Sequence, residues 1–184
     1  MEIMTLAKDS IRIKGKNGSL VVDPFSLRTK TEGDAIVLLT PSGQVEQSKI
    51  QGFRVLIKGP GDYEVSGIKI TGFQNGNQLA YGMTVDNIRI FLAAANGVEA
   101  MKEKMNEHAI VVLYSTSLID QSFIATLESN VTVLYGENAK SIAASFHKNA
   151  SEGENTQTIK PVSKYAVTAE KLPKEMEVIL LAND

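Results

Sequence analysis

The segment from Val55 to Phe73 constrains the fold of this chain more than any other. The apolar run Val55–Ile57 leads into Gly59-Pro60-Gly61, and an alternating apolar pattern resumes at Val65. Such runs, interrupted by glycine and proline, predict two strands joined by a tight turn, a β-hairpin. Pro60 lacks a backbone N–H and no Lys-Ser/Thr pair follows, so the turn does not fit a Walker-type phosphate loop. We expect it to serve folding rather than chemistry.

Hydrophobic periodicity divides the chain into two halves within one expected domain, residues 1–184. Short strand-like segments fill residues 1–97, including a predicted hairpin at Asp86-Asn87 and a strand over 36–39. From residue 98 to 184, strands alternate with helical faces that begin at about Val98, Leu118 and Ala139. Residues 162–168 and 178–181 are predicted closing strands, and the polar stretch 148–157 a loop. This alternation predicts helices packed on a sheet.

Composition excludes several classes of protein. The chain has 184 residues, 43% of them hydrophobic, which suffices for one substantial core. A formal net charge of −2 shows no basic excess of the kind that marks nucleic-acid binding. No apolar run approaches the ~20 residues of a membrane span, and the first residues do not resemble a signal peptide. Without cysteine there are no disulfides or thiolate sites. We expect a cytoplasmic protein that binds neither nucleic acid nor membrane.

Several segments resemble one known family. They are the Gly-Pro-Gly-acidic-Tyr-Glu-Val-x-Gly turn at 59–67, the Asp-Pro turn at 21–25 and the ending Leu-Pro-Lys-Glu-Met-Glu-Val at 172–178. These are similar to the small, single-domain metallo-β-lactamase-fold proteins identified as metal-dependent hydrolases related to the ascorbate-6-phosphate lactonases. The resemblance extends along most of the chain. It implies an αββα sandwich, in which two facing sheets carry helices on their outer faces.

The same resemblance implies that the family's metal ligands are replaced here. Lys8 stands where the family has a histidine in its first hairpin, Ala95 where it has a bridging aspartate, and Gly136 where a late strand carries a histidine. The family's His-x-His-x-Asp-His motif falls on residues 41–46, and its four functional positions carry Pro41, Gly43, Val45 and Glu46. A hydrolytic zinc site needs about three protein donors. We therefore expect no metal and no other cofactor.

The two histidines and a serine pair offer little chemistry in their place. His108 and His147 each lie near the end of a helical pattern, where we expect them to face solvent or cap a helix. Ser115 and Ser117 have no Gly-x-Ser-x-Gly elbow or neighbouring histidine, so they do not indicate a nucleophile. Ser117 is instead predicted to be a helix N-cap. No catalytic residue is therefore predicted.

Three functions remain open from the sequence. The favoured one is a noncatalytic module that binds a small anion or a protein partner. The second is a structural, homo-oligomer-forming relative, such as the inactive partner of an active homologue. The third is a hydrolase with an unconventional acidic site that would use Asp23, Glu46, Asp62 and Glu64.

A ligand site can be predicted from where the loops should converge. In this fold the loops that follow several strands meet at one edge, and three of these loops lead into predicted helices, whose N-termini favour anions. We expect a weak anion site lined by Ser42, Asn96, Ser115, Ser117 and Asn138. The alternative is that these residues merely cap their own helices.

Overall fold

The computed structural model describes residues 1–41, 43–148 and 159–182; the side chains of His147 and Lys148 are not described. The predicted polar loop at 148–157 lies outside these ranges except for Lys148, the last residue of a helix.

The described residues form strands and a few short helices. In chain order the strands are β1 (Glu2–Ala7), β2 (Ser10–Lys14), β3 (Ser19–Val22), β4 (Thr31–Glu32), β5 (Ala35–Val37), β6 (Ile50–Gln51), β7 (Val55–Ile57), β8 (Gly61–Val65), β9 (Ile68–Asn75), β10 (Gln78–Val85), β11 (Ile88–Ala94), β12 (Ile110–Tyr114), β13 (Val131–Tyr135), β14 (Pro161–Val162), β15 (Lys164–Ala166) and β16 (Glu177–Leu181). The α-helices are α1 (Lys102–Asn106), α2 (Gln121–Ala125) and α3 (Ala139–Lys148). Short 3-10 helices span Gln47–Lys49, Val98–Met101 and Ala169–Lys171.

Two large sheets face each other. The first has the strand order β15-β1-β2-β3-β5-β7, and the second β14-β16-β13-β12-β11-β10-β9-β8. Strands β3, β5 and β7 run parallel, as do β11, β12, β13 and β16. Strands β4 and β6 form a small separate sheet. Parallel strands end at the same edge of a sheet, so each large sheet has an edge where several carboxyl ends lie side by side.

Alternating apolar residues build the core between the sheets. Ile11, Ile13 and Leu20 from the first sheet meet Ile90 and Val112 from the second, all at most 1% exposed. Strands β10 and β11 pair through a two-residue turn in which Asp86 and Asn87 have φ of 50° and 66°. Both values are positive, as a type I′ turn requires, so the predicted hairpin is confirmed.

The two outer faces are covered differently. Helices α1, α2 and α3 cover the second sheet, where Met105, Ile124 and Ile142 pack against its strands. The outer face of the first sheet packs against loop residues such as Leu27, next to Ile50 of β6. The only helix between β3 and β7 in the described part is the 3-10 helix Gln47–Lys49. The outer layer of the first sheet is thus mostly loop.

Two local predictions are wrong. The segments on either side of Gly59-Pro60 do not form a hairpin, because β7 pairs with β5 in the first sheet whereas β8 pairs with β9 in the second. The turn is a crossover between sheets, and it passes so close to β9 that a Cβ at Gly72 would lie 2.5 Å from the carbonyl oxygen of Gly59. Residues 162–168 likewise divide between β14 in the second sheet and β15 in the first.

No helix of the described residues is both long and apolar enough to cross a bilayer.

The crossover generates a test of backbone strain. Gly61 has φ of +137°, whereas Gly59 does not have a left-handed backbone and has no atom within 4 Å of a Cβ built on it. We expect Gly61→Ala to lower the free energy of unfolding by about 1–2 kcal/mol and the matched change Gly59→Ala to alter it by less than about 0.5 kcal/mol. Asp62→Asn, on an exposed side chain, should also cost less than Gly61→Ala. Urea unfolding measures all three, and equal losses at Gly59 and Gly61 would contradict the assignment of strain to Gly61.

Candidate functional site

The candidate site lies where parallel strands of both sheets end. Strands β12 and β13 end in register at Tyr114 and Tyr135, and β3 ends directly before Asp23. The two edges lie against each other. The hydroxyl of Tyr81 on β10, in the second sheet, donates a hydrogen bond to the carbonyl oxygen of Leu38, which follows β5 in the first sheet, at 2.9 Å. Ligand sites of layered α/β proteins often lie at such strand ends.

Asp23 is a buried carboxyl group that the backbone holds in place. It is 0% exposed, and its Oδ1 accepts hydrogen bonds from the backbone N–H of Leu39 (3.0 Å) and Thr40 (3.3 Å). Its φ of 44° is left-handed, a conformation that Asp and Asn tolerate better than most residues. Burial raises the pKa of Asp23 from 3.8 to about 7, although these hydrogen bonds lower it and the charge of Asp9 raises it further. The carboxyl group connects the loops after β3 and β5.

Two stacked tyrosines lie within electrostatic range of Asp23. The rings of Tyr114 and Tyr135 have centroids 5.2 Å apart and planes at 23°. Tyr135 is 1% exposed, and its hydroxyl has no hydrogen-bond partner among the described residues. Burial raises the pKa of Tyr114, and the charge of Asp9 raises it further. Asp9, Asp23, Tyr114 and Tyr135 are called the tyrosine–aspartate cluster below.

Gly136 permits the close packing of this cluster. It follows Tyr135 with φ of +99°, and a Cβ there would lie 2.8 Å from a ring carbon of Tyr114. Any larger residue would meet both a strained backbone and the aromatic ring. The residue at this position therefore serves packing in this chain.

A cavity of about 560 Å³ opens next to the cluster. It lies between the end of β1, the segment after Asp23, the turn between β13 and α3, and the end of β16. Its basic side chains are Lys8, Arg28 and Lys140, which share the lining with Ser26 and Glu137. This cavity is called the cationic cleft below.

The described side chains form no metal-binding group. In residues 1–41, 43–148 and 159–182, no three His, Cys, Asp or Glu side chains lie close enough together to hold an ion. Lys8 forms an ion pair with Glu137 (3.3 Å), and Glu46 forms one with Lys49 (2.8 Å). Ala95 and Gly136 have no donor side chain. The donors present do not fit a zinc site, which needs about three.

The four acids of the alternative hydrolase site are accordingly not assembled into a group of three. Asp62 and Glu64 are exposed on β8, the edge strand of the second sheet, and Asp62 accepts a hydrogen bond from the hydroxyl of Thr71 at 2.7 Å. Asp23 is buried between the sheets, and Glu46 is paired with Lys49. Each acid has a separate local partner or environment.

The residues of the predicted anion site have mixed surroundings. Ser42 lies outside the described residues, and Asn96 is exposed. Ser115 is buried, with its hydroxyl 3.4 Å from the carbonyl oxygen of Leu113, and Asn138 donates from Nδ2 to the carbonyl oxygen of Thr116 at 2.9 Å. The loops after β12 and β13 are thus joined. None of Asn96, Ser115, Ser117 and Asn138 lines the cationic cleft, and anion binding at these residues stays a prediction.

The sequence predicted that Ser117 caps a helix, and this prediction is wrong. Helix α2 begins at Gln121, and Asp120 caps it by accepting the N–H of Ser122 at 2.8 Å. The predicted start at Leu118 is therefore three residues too early. Serine and aspartate both satisfy the N-cap preference, and here the helix begins after Asp120, whose backbone is extended.

One histidine caps a helix as expected. The carbonyl oxygen of Lys104 in α1 accepts a hydrogen bond from Nδ1 of His108 at 2.7 Å, which fixes Nδ1 as the protonated nitrogen. The ring also packs on Phe91 at 5.3 Å, and burial lowers the pKa of His108. The prediction of a C-capping histidine is confirmed. His147 lies within α3, and its side chain is outside the described part.

Solved structures identify the architecture. A candidate Zn-dependent hydrolase of the metallo-β-lactamase superfamily from Thermotoga maritima superposes with a TM-score of 0.72 at 19% identity, covering 98% of both chains. The chain has the metallo-β-lactamase fold. A possible metal-dependent hydrolase from Veillonella parvula covers 80% of this chain and 92% of its own with a TM-score of 0.56 at 9% identity. An isothiocyanate hydrolase from Delia radicum gut bacteria covers 76% and 86%, with a TM-score of 0.51 at 13% identity.

These likenesses, all below 25% identity, establish the fold alone. No protein-family model matches the sequence, and no curated protein compared with it matches. The expected fold class is confirmed. The αββα description needs one qualification for this metallo-β-lactamase fold, because the described outer layer of its first sheet is mostly loop.

Sequence reasoning missed the tyrosines and most of the basic residues. The repeated ending Val-Leu-Tyr at Tyr114 and Tyr135 was a usable signal, because equivalent positions in neighbouring parallel strands become adjacent. No comparable local signal marks Arg28 or Lys140. They join Lys8 only through the tertiary fold.

The buried acid generates a prediction for stability against pH. Because the folded protein raises the pKa of Asp23 to about 7, this group contributes full stability below pH 3.8 and loses it progressively as the pH rises to about 7. At 1.36 kcal/mol per pH unit the loss is about 4 kcal/mol. Asp23→Asn should remove this slope between pH 5 and 7 and make the variant more stable than the parent at pH 8.

The matched control for that test is Asp34→Asn. Hydrogen bonds from Ser66, Ser19 and Arg54 lower the pKa of Asp34 despite its partial burial. Stability from Asp34 is therefore present at neutral pH and lost in acid, so the control should be destabilised at pH 7. Denaturant midpoints across pH 5 to 8 measure both variants. An unchanged slope in Asp23→Asn would contradict a raised pKa at Asp23.

The tyrosines generate a second, paired prediction. The buried hydroxyl of Tyr135 has no described partner, whereas that of Tyr81 donates to the carbonyl oxygen of Leu38. Tyr135→Phe should leave the free energy of unfolding unchanged or raise it by about 1 kcal/mol, and Tyr81→Phe should lower it by about 1–2 kcal/mol. Thermal and urea unfolding compare the two. A larger loss at Tyr135 would mean that its hydroxyl is hydrogen-bonded in solution.

Proposed function

We propose that this protein is a noncatalytic relative of the metallo-β-lactamase-fold hydrolases that lacks their metal centre and acts by binding. The observation that carries the proposal is the tyrosine–aspartate cluster. Stacked aromatic rings occupy the strand ends, and Asp23, the buried acid among them, is committed to backbone N–H groups. A residue used in this way supports the fold rather than an exchangeable water or metal.

The residue types at the positions implied by the family resemblance support this proposal. Lys8, Ala95 and Gly136 stand where the family carries metal ligands, and each now has a local role or lacks a donor. Lys8 pairs with Glu137, and Gly136 provides room for Tyr114. A positively charged amine at the place of a ligand would also repel a divalent cation.

The competing function is a metal-dependent hydrolase, the activity that the names of two structural neighbours suggest for those proteins. It would need three or more donors to come together from the four acids considered above, only one of which lies in the cluster. The separation of Asp62 and Glu64 on an exposed edge strand from the buried Asp23 favours the binding function. A cytoplasmic location and self-association remain predictions from the sequence.

Metal content tests the proposal. Protein purified without chelators and dialysed should contain well below one equivalent of zinc, manganese or iron, and these ions should not raise its melting temperature. A specific ligand at a hundred times its Kd would stabilise the fold by about 2.7 kcal/mol, a shift of several degrees for a domain of this size. One equivalent of metal retained through dialysis, with a matching rise in melting temperature, would favour the hydrolase.

A further inference from the structure

We propose that the cationic cleft binds an organic anion consisting of an aliphatic chain that ends in an anionic group. The inference rests on the proposed function and names a ligand class for it. It uses the cleft beside the tyrosine–aspartate cluster rather than the loop residues Asn96, Ser115, Ser117 and Asn138, none of which lines this cavity.

The charge of the cleft supplies the first part of the argument. Lys8, Arg28 and Lys140 line it together with a single acid, Glu137, so its local charge is +2 in a chain whose net charge is −2. Neither Arg28 nor Lys140 has an ion-pair partner within the described ranges. Both side chains are exposed, so water screens their repulsion and leaves them available to contact a bound anion.

Lys8, the third basic side chain of the cleft, is also available to a ligand. The ion pair between Lys8 and Glu137 spans 3.3 Å, and the two side chains are 62% and 73% exposed. Exposed pairs of this kind contribute little stability because water and salt screen them. A ligand carboxylate or phosphate can therefore replace Glu137 as the partner of Lys8 at small cost.

The apolar wall of the cleft supplies the second part. The half-buried apolar residues of the lining are Leu6 and Ala7 from β1 and Ala182 directly after β16, with the buried Leu181 behind them. An inorganic anion would contact the basic side chains and leave this wall in contact with water. A ligand with a hydrocarbon part covers the wall and gains hydrophobic free energy as well as charge contacts.

The size and position of the cleft agree with such a ligand. Its volume of about 560 Å³ falls within the ~300–1,000 Å³ that small-molecule sites usually occupy. One side of the cleft comes from the first sheet and the other from the second. Gly136, which packs against the ring of Tyr114, also lines the cleft, so the cleft lies next to the stacked tyrosine pair.

Three probes separate the two parts of the argument. Octanoate carries both the chain and the charge, acetate carries only the charge, and octan-1-ol carries only the chain. We expect octanoate to bind at least about tenfold more tightly than either of the others, by titration calorimetry and by backbone amide shifts. The shifted amides should include those of Lys8, Arg28 and the turn from Gly136 to Lys140.

Charge variants test the location. The double change Arg28→Gln with Lys140→Gln should weaken octanoate binding about tenfold or more, because it removes two charge-assisted contacts. The matched control, Lys69→Gln with Lys171→Gln, removes two exposed cations outside the cleft and should leave the affinity unchanged. Circular dichroism and unfolding midpoints of both variants show that each is folded.

The outcomes that overturn the proposal are distinct from those that overturn the proposed function. Equal affinity for octanoate and acetate, shifts spread away from the cleft, or an equal effect of both double variants would each refute the ligand class or its site. If the protein also contains no metal, those results would leave the proposed noncatalytic function unaffected. Stoichiometric zinc would refute that function whatever octanoate does.

Discussion

The buried carboxyl group of Asp23 is the constraint around which the strand ends are organised. An acid without access to water is unfavourable unless hydrogen bonds or protonation compensate for the lost hydration, and both occur here. Two backbone N–H groups fix the loop after β5 to the turn after β3, and burial raises the pKa of Asp23 to about 7. The two tyrosines within its electrostatic range add no charge at neutral pH, because burial raises the pKa of both hydroxyl groups.

Fold and chemistry are separable in this protein. The superposition on the Thermotoga maritima structure covers 98% of both chains at 19% identity, so the sandwich can be kept while most side chains differ. What the fold preserves is the meeting of strand ends at one edge. What the chain supplies there is aromatic packing, a buried acid and three cations, and the proposed anion binding rests on these residues.

The sequence predicted the features that depend on residues close together in the chain. It missed the features that depend on which strands pair in the two sheets. The Asp86-Asn87 hairpin and the helix cap at His108 rest on local geometry, and both are present. The turn at Gly59-Pro60 has the local pattern of a hairpin, but the partners of β7 and β8 lie elsewhere and only the tertiary fold selects them. The cleft was missed for the same reason. Lys8, Arg28 and Lys140 are far apart in the chain, and only the tertiary fold places them around one cavity.

The arrangement of these cations connects binding to the stability of the fold. Lys8 follows β1 and Arg28 lies after β3, both strands of the first sheet, and Lys140 lies in α3, which covers the second. The three cations therefore come from parts of the molecule that the inter-sheet core holds together. An anion bound among them would add attraction between those parts. Because only the folded chain brings the three charges together, such a ligand would stabilise the sandwich by binding the native state and not the unfolded one.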